Sequence, residues 1–253
     1  MRIFALSDIH VEYDGNAAWV SAMSRADYRD DVLILAGDVA GTLPLLQRCV
    51  DAFAQRFARV LFVPGNHDLW VIRDAQRMDS LEKFAKVSAA IENCGASMQP
   101  FTAGTLSIVP LQGWYDYSFG EPTEQLKAVW MDYRACRWPE GWQAADIAAH
   151  FLRMNTTSLD SLARKVITFS HFLPRIDLMP PYIPLEHRLV YPVLGSTGLD
   201  DQLRQLGSVL HVYGHSHVNR DVTIDGVTYI NNAFGYPAET RITAKQLRCV
   251  YAD

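Results

Sequence analysis

Two kinds of apolar segment alternate along the chain. Residues 3–6, 32–36, 59–63, 106–111, 165–169 and 209–213 are short, nearly unbroken apolar runs, and each meets Gly, Ser, Pro or Gln within a residue or two. Runs of this length between turn residues read as strands buried on both faces. Between them, residues 17–24, 43–57, 73–93, 144–163 and 199–206 predict helices. In 43–57, Leu46, Val50, Phe53 and Phe57 repeat at helical spacing and Pro44 sits where a helix start tolerates it. Asn93-Cys94-Gly95 is a helix stop. Strand and helix in alternation predict βαβ units and a largely parallel sheet. Residues 222–230 alternate instead and break at Asp225-Gly226, the signal of a type I′ hairpin, and 247–251 predicts a last edge strand. No repeat or linker interrupts the pattern, so one domain over 1–253 is expected.

Two stretches depart from the rhythm. Residues 113–143 hold four of the six tryptophans (Trp114, Trp130, Trp138, Trp142) with Tyr115, Tyr117, Phe119 and Tyr133. This is either an aromatic substrate wall or an insertion packed on the core. The second is favoured, because aromatics supply much of the buried area wherever they occur. Residues 172–197 carry Pro174, Pro180, Pro181, Pro184 and Pro192. Long loops in compact domains are usually functional or disordered.

Composition narrows the setting more than the chemistry. Hydrophobic residues make up 49% of the 253 and charged ones 20%, as in globular proteins with a substantial core. A formal charge of −5 offers no electrostatic footprint for bulk nucleic acid or an anionic membrane. No apolar run approaches a membrane span, and residues 1–6 are too short a run for a leader, so the expected location is cytoplasmic. Cys49, Cys94, Cys136 and Cys249 form no close pair and are expected as free, mostly buried thiols.

The chemistry collects after successive strands. Asp8 and His10, Asp38, Asn66-His67-Asp68, His171, and His215 with His217 follow five different runs, and five of the eight histidines fall there. A lone histidine at a strand end is ordinarily a hydrogen-bonded surface residue; this many in one pattern is not. Neutral imidazole with carboxylate suits Zn, Mn, Fe or Ni rather than Ca or Mg alone. Seven such donors exceed what one ion with an open position needs. Two ions sharing a bridging carboxylate fit the count, the arrangement that clamps an in-line displacement at phosphorus.

Asp-x-His, Gly-Asp, Gly-Asn-His-Asp, His and Gly-His-x-His, in this order, resemble the calcineurin-like metallophosphoesterase superfamily over residues 1 to about 232. The resemblance implies a four-layer α/β/β/α sandwich of two mixed sheets flanked by helices, refining the plainer parallel-sheet reading. By position it implies that Asp8, His10 and His217 hold one ion, Asn66, His171 and His215 the other, with Asp38 bridging. His67 matches the histidine outside the metal shell, a stabiliser of phosphoryl oxygens or an acid toward the leaving oxygen. Asp68 would orient its loop, and a water bridging the metals would be the nucleophile. Val39-Ala40-Gly41-Thr42 stands where protein Ser/Thr phosphatases carry Asp-Arg-Gly, which argues against a phosphoprotein substrate. Trp130-Met131-Asp132-Tyr133-Arg134 and Thr168-Phe169-Ser170-His171-Phe172 resemble segments of small bacterial members.

The reading is therefore a dinuclear-metal hydrolase of a small-molecule phosphoester or nucleotide, with diesters favoured. A phosphomonoesterase or nucleotide pyrophosphatase is the alternative. A non-catalytic metal-binding scaffold is the rival of another class, disfavoured because every matched position is filled. Tyr115, Asp116 and Arg175 are candidate substrate contacts, with a solvated loop charge the plainer reading of Arg175. His211 is expected as a satisfied core residue.

Overall fold

The computed structural model describes residues 1–74, 78–155 and 164–252. In chain order they form β1 (Arg2–Leu6), α1 (Asp14–Ala22), β2 (Val32–Ala36), α2 (Leu43–Ala54), β3 (Arg59–Val63), α3 (Ser80–Asn93), β4 (Phe101–Ala103) and β5 (Leu106–Pro110). Then follow α4 (Glu124–Val129), α5 (Asp132–Ala135), α6 (Ala144–Met154), β6 (Lys165–Phe169), α7 (Thr197–Gln205), β7 (Ser208–Tyr213), β8 (Arg220–Ile224), β9 (Val227–Asn231) and β10 (Arg248–Ala252).

The strands make two sheets, ordered β10-β1-β2-β3 and β4-β5-β6-β7-β9-β8. Each has a parallel centre, β1-β2-β3 and β5-β6-β7-β9, and antiparallel edges. The single parallel sheet suggested by the βα rhythm is thus corrected to the mixed pair that the resemblance implied. The reason lies in where each strand's two faces go. Ile3, Ala5, Val32, Ile34, Ala36, Leu61 and Val63 pack against Ile108, Ile167, Phe169 and Val212 between the sheets. Their neighbours Phe4, Leu6, Leu33, Leu35, Val60 and Phe62 face α1, α2 and α3. Period-two alternation with both faces buried reads in sequence as an unbroken apolar run. On the far side, α4, α6, α7 and the aromatic segment cover the second sheet.

Several element boundaries differ from expectation. α3 starts at Ser80 rather than 73, because Asp79 and Glu82 close a reciprocal capping box there; residues 75–77 lie outside the described residues. α6 ends at Met154, with 156–163 of the expected helix also outside them. β4 is too short to announce itself and is held by its turn with β5. The hairpin is as expected, with Asp225 at φ 49° and Gly226 at φ 82°. The cysteines are free, but Cys49 alone is fully buried and Cys249 is exposed, so "mostly buried" was too strong. His211 is buried between Thr168 Oγ1 (2.8 Å) and Ser170 Oγ (3.0 Å), a satisfied core histidine.

Because Ile34 is fully buried in the middle of β2 between the sheets, Ile34→Ala is expected to cost about 2–5 kcal/mol. Urea unfolding should show a lower midpoint with an unchanged slope.

Candidate metal centre

Loops leaving the carboxyl ends of β1, β2, β3, β6 and β7 meet at one place, and their backbones are joined directly. Asp8 N–H donates to Gly37 O (2.9 Å), His10 N–H to Asp38 O (3.1 Å) and Gly214 N–H to His171 O (2.9 Å). Five chemistry-bearing residues hold positive φ there: Asp8 (53°), His10 (42°), Asp38 (54°), His215 (66°) and His217 (52°). Left-handed backbone at a non-glycine residue costs about 1–3 kcal/mol and persists where surroundings over-determine it. Asp68 is one such determinant. Its carboxylate accepts the backbone N–H groups of Asp38, Val39, Ala40 and Gly65 at 2.8–3.0 Å. Gly65 is required by space: a Cβ would collide with Asp38 Oδ1 and lie 2.7 Å from Asp38 N and His171 Cε1.

The outward nitrogens fix which atoms face inward. His171 Nδ1 donates to Ala36 O (2.9 Å) and His215 Nε2 to Val193 O (3.0 Å), since a carbonyl can only accept. Asn66 Nδ2 donates to Asp132 Oδ1 (2.8 Å), which turns its Oδ1 inward. His171 Nε2, His215 Nδ1 and Asn66 Oδ1 are then three acceptors. The first two lie 3.1 Å apart and the first and third 3.2 Å, with Asp38 Oδ1 at 3.5 Å from His171 Nε2. Lone pairs facing one another at such distances, with no proton to share, call for a cation.

A second group lies beside it. His217 Nε2 is 3.2 Å from His10 Nε2 and 3.2 Å from Asp8 Oδ1, and its Nδ1–H donates to Glu239 Oε2 (2.7 Å). Asp38 Oδ2 stands 3.9 Å from His10 Nε2 and 3.8 Å from His67 Nε2. Donor atoms of Asp8/His10/His217, of His10/Asp38/His67 and of Asp38/His171/His215 each fall within 4.8 Å of one another. The donor set therefore fits two adjoining cations.

Charge follows the same pattern. Burial, then Asp8 and Asp68, pushes the Asp38 carboxyl well above its usual range. Burial and His217 hold His10 down to about 3, and burial lowers His171 and His215. Burial opposes protonation of His217 too, but Asp8 and Glu239 outweigh it and raise His217 to about 10. Asp8 is correspondingly held below its usual range, with burial opposing and His217 the main lowering influence.

The expected positions Asp8, His10, Asp38, Asn66, His171, His215 and His217 are all brought together, with His67 at the edge and more exposed. The three substrate candidates are placed otherwise. The Arg175 guanidinium is committed to Asp177 (2.8 Å), Asp225 (3.2 Å) and Asp200 (3.6 Å). Asp116 braces a loop, accepting from Ser118 N and Ser196 Oγ. Tyr115 is buried against Trp114, Tyr117 and Phe172 and acts one step removed, on Asp132. Burial raises the Asp132 carboxyl, while hydrogen bonds from Asn66, Trp70, Trp130 and Tyr115 oppose the rise. The aromatic segment packs on the core as expected, yet Trp130 also reaches Asp132 (2.8 Å) and lies edge-on to His215.

Residues that the sequence reading passed over hold the donors in place. Asp132 turns Asn66, Glu239 orients His217, Val193 orients His215, and Asn16 Nδ2 ties Ile9 O (2.7 Å) to Gly235 O (3.1 Å). Asp132 and Val193 lay in the two segments already singled out, 113–143 and 172–197; Glu239 and Asn16 did not.

Two mixed sheets between helical layers, with imidazoles and carboxylates gathered at one set of strand ends, define a metallophosphoesterase. The sequence profile described as calcineurin-like phosphoesterase matches residues 1–219, and the chain belongs to that family. It is a metal-dependent phosphoester hydrolase of a family that uses a dinuclear site. Over 270 residues it is 28% identical to the acyl-carrier-protein phosphodiesterase PptH of Mycobacterium tuberculosis (strain ATCC 25618 / H37Rv), covering 94% of this chain and 79% of that one. The crystal structure of phosphopantetheinyl hydrolase (PptH) from Mycobacterium tuberculosis superposes with a TM-score of 0.81 at 26% identity, covering 100% of this chain and 96% of that one. TT1561 of Thermus thermophilus shares the fold, with a TM-score of 0.50 at 14% identity over 92% and 89% of the two chains. Among the described residues no helix is long and apolar enough to cross a membrane.

Asp132→Asn leaves one side-chain oxygen for the four donors Asn66, Trp70, Trp130 and Tyr115 and frees Asn66 to turn. Metal affinity at one of the two positions is expected to fall about 10–100-fold, measured by competition with a chromophoric chelator. Protons supply a second expectation. His217 carries one up to about pH 10 in the metal-free protein, and its Nε2 must release it to bind a cation. Apparent metal affinity should fall as pH is lowered below 10, by about tenfold per unit where one proton is displaced. Titrations at several pH values, with proton release followed in parallel, check the sign.

Proposed function

We propose that Asp8, His10 and His217 hold one transition-metal ion, that Asn66, His171 and His215 hold the other, and that Asp38 bridges them. The observation that carries this is the convergence of three proton-free acceptors, Asn66 Oδ1, His171 Nε2 and His215 Nδ1, beside a second group sharing Asp38. Imidazole-rich donors with carboxylates favour Mn, Fe, Zn or Ni. When bound, such a pair supplies Lewis acidity toward phosphoryl oxygens and an activated water as nucleophile. The chain from 1 to 253 works as one catalytic domain in this reading.

His67 acts from the edge of the site. Its ring stacks on Trp70 at 3.7 Å, and its backbone N–H donates to Asp38 Oδ1 (2.9 Å), so the imidazole is aimed across the Asp38 carboxylate. Burial, then His10, holds it well below the usual histidine range and therefore neutral. A neutral imidazole can still donate one N–H to a phosphoryl oxygen or to the departing oxygen.

The substrate in this reading is a phosphodiester. A diester carries one negative charge, which neutral donors accommodate, whereas a dianionic monoester is ordinarily met by cationic side chains. Arg175 is occupied by carboxylates, and the Lys245 ammonium is capped by the carbonyls of Phe234, Gly235 and Tyr236. The likeness to a carrier-protein phosphodiesterase supports a particular diester, the link between a carrier-protein serine and 4′-phosphopantetheine. Water would cleave the bond between phosphorus and the serine oxygen, leaving a free hydroxyl on the protein and phosphopantetheine in solution. This replaces the free small molecule or nucleotide as first choice; a cytoplasmic setting, where carrier proteins work, is part of it.

The test is turnover of bis(p-nitrophenyl) phosphate against p-nitrophenyl phosphate with added Mn, together with mass spectrometry of a phosphopantetheinylated carrier protein. Preference for the diester and loss of the prosthetic arm are expected. Preference for the monoester would overturn the diester reading, and an unchanged carrier mass the carrier reading. His67→Ala is expected to lower kcat by about 10²–10⁴ with metal content intact by elemental analysis.

A further inference from the structure

Tyr236 has no part in the chemistry assigned so far, and it follows the last residue matched by the family profile. Its ring lies 4.6 Å from that of His10 and 4.9 Å from that of His217, with Tyr13 edge-on behind it at 5.6 Å. The residue is half-buried, and among the described residues its hydroxyl has no hydrogen-bond partner. A tyrosine hydroxyl carries its proton at neutral pH and can donate it in a hydrogen bond.

The segment bearing Tyr236 is fixed from several sides. Phe234 N–H donates to Ser7 O and Gly235 N–H to Asp8 O, both at 2.8 Å. Lys245 Nζ donates to the carbonyls of Phe234, Gly235 (3.0 Å) and Tyr236 (2.9 Å). Glu239 Oε2 accepts Tyr236 N–H (2.8 Å) while it also takes the His217 Nδ1 proton. One carboxylate thus sets both a proposed metal ligand and the tyrosine beside it. The His10 ring lies between those of His67 (4.7 Å) and Tyr236 (4.6 Å). Two neutral donors therefore flank one imidazole beside Asp38.

We propose that the Tyr236 hydroxyl donates a hydrogen bond to a non-bridging phosphoryl oxygen of the substrate, across His10 from His67, and so is a substrate-binding residue of this site. The proposal rests on the phosphodiesterase reading above. A neutral phenol suits a single negative charge and asks for no proton transfer. A hydrogen bond to a charged group contributes about 1.5–3 kcal/mol, which corresponds to about 10–100-fold in kcat/KM.

Tyr236→Phe removes the hydroxyl and keeps the ring against His10 and His217. In the metal-loaded protein, kcat/KM for bis(p-nitrophenyl) phosphate is expected to fall about 10–100-fold. The dissociation constant of inorganic phosphate, measured by calorimetry, should rise by about tenfold or more, with metal content and melting temperature unchanged. A variant with wild-type turnover and phosphate affinity would overturn the proposal, as would one whose losses are matched by lost metal. If the wild-type protein itself hydrolyses no phosphoester, the underlying reading fails and the proposal with it; wild-type turnover alongside an unaffected variant defeats the proposal alone.

Discussion

Everything at the centre of this protein depends on acceptors that face one another with nothing to donate between them. His171 Nε2, His215 Nδ1 and Asn66 Oδ1 converge because a backbone carbonyl takes the one N–H of each neutral imidazole on the far side and Asp132 holds the Asn66 amide nitrogen outward. Asp38 adds a buried carboxylate at 3.5 Å. Buried charge is tolerated only when paired, and the imidazoles around Asp38 are themselves kept neutral by burial. Asp68 and Asp132 show the contrast. They are equally buried carboxylates, but four backbone amides surround the first, and two indoles, a side-chain amide and the Tyr115 phenol the second. Asp8 and Asp38 have fewer amide donors, the His215 N–H on Asp8 and the His67 N–H on Asp38, and keep carboxylate oxygens turned toward the imidazoles.

Holding such a cluster requires a stiff frame, which the paired sheets provide. Each parallel strand is clamped on both faces, so its carboxyl end is placed to within the tolerance of a packed core. The loops then adopt costly backbone: five of the site residues are left-handed without being glycine. That strain is sustained by hydrogen bonds running from one loop to the next and by Asp68, which closes the β2 and β3 loops around Gly65. Removing the sheet interior or the loop stitching would therefore weaken the same property, the fixed separation of the donor atoms.

Much of this was readable in the sequence. The parallel-strand runs, the hairpin at Asp225-Gly226 and all seven donors follow from local pattern, because turn chemistry and apolar runs are short-range signals. The sheet partition was not local. Strands buried on both faces look alike whether a helix or another sheet covers them, so the resemblance supplied the second sheet. The start of α3 was legible after all, in Asp79 and Glu82, but helical spacing upstream obscured it. The residues that orient the donors were the least visible. Glu239 sits in Tyr236-Pro237-Ala238-Glu239-Thr240-Arg241, a stretch whose composition reads as a solvated loop. Val193 contributes a carbonyl, which every residue possesses. Arg175, a candidate substrate contact because it is close in sequence to His171, is held by three carboxylates, nearer to the plainer reading of a loop charge.

The part of the chain beyond the family profile meets the site from a side that the motifs leave open. β9 runs parallel to β7, and the chain leaving it crosses beside β1, where Ser7 and Asp8 take its amides, before β10 closes the first sheet against β1. This path carries Asn232, Phe234, Gly235, Tyr236 and Glu239 along one edge of the cluster. Motif residues shared by a family can hold cations and position a nucleophile, but they distinguish substrates poorly, since every member needs them. Groups that touch the cluster from outside the shared motifs are freer to differ, and here they lie on the side of His10 away from His67. The 232–246 crossing and the Trp130–Asp132 corner thus meet the same histidine- and aspartate-bearing loops from opposite flanks, the first through Glu239 on His217 and the second through Asp132 on Asn66.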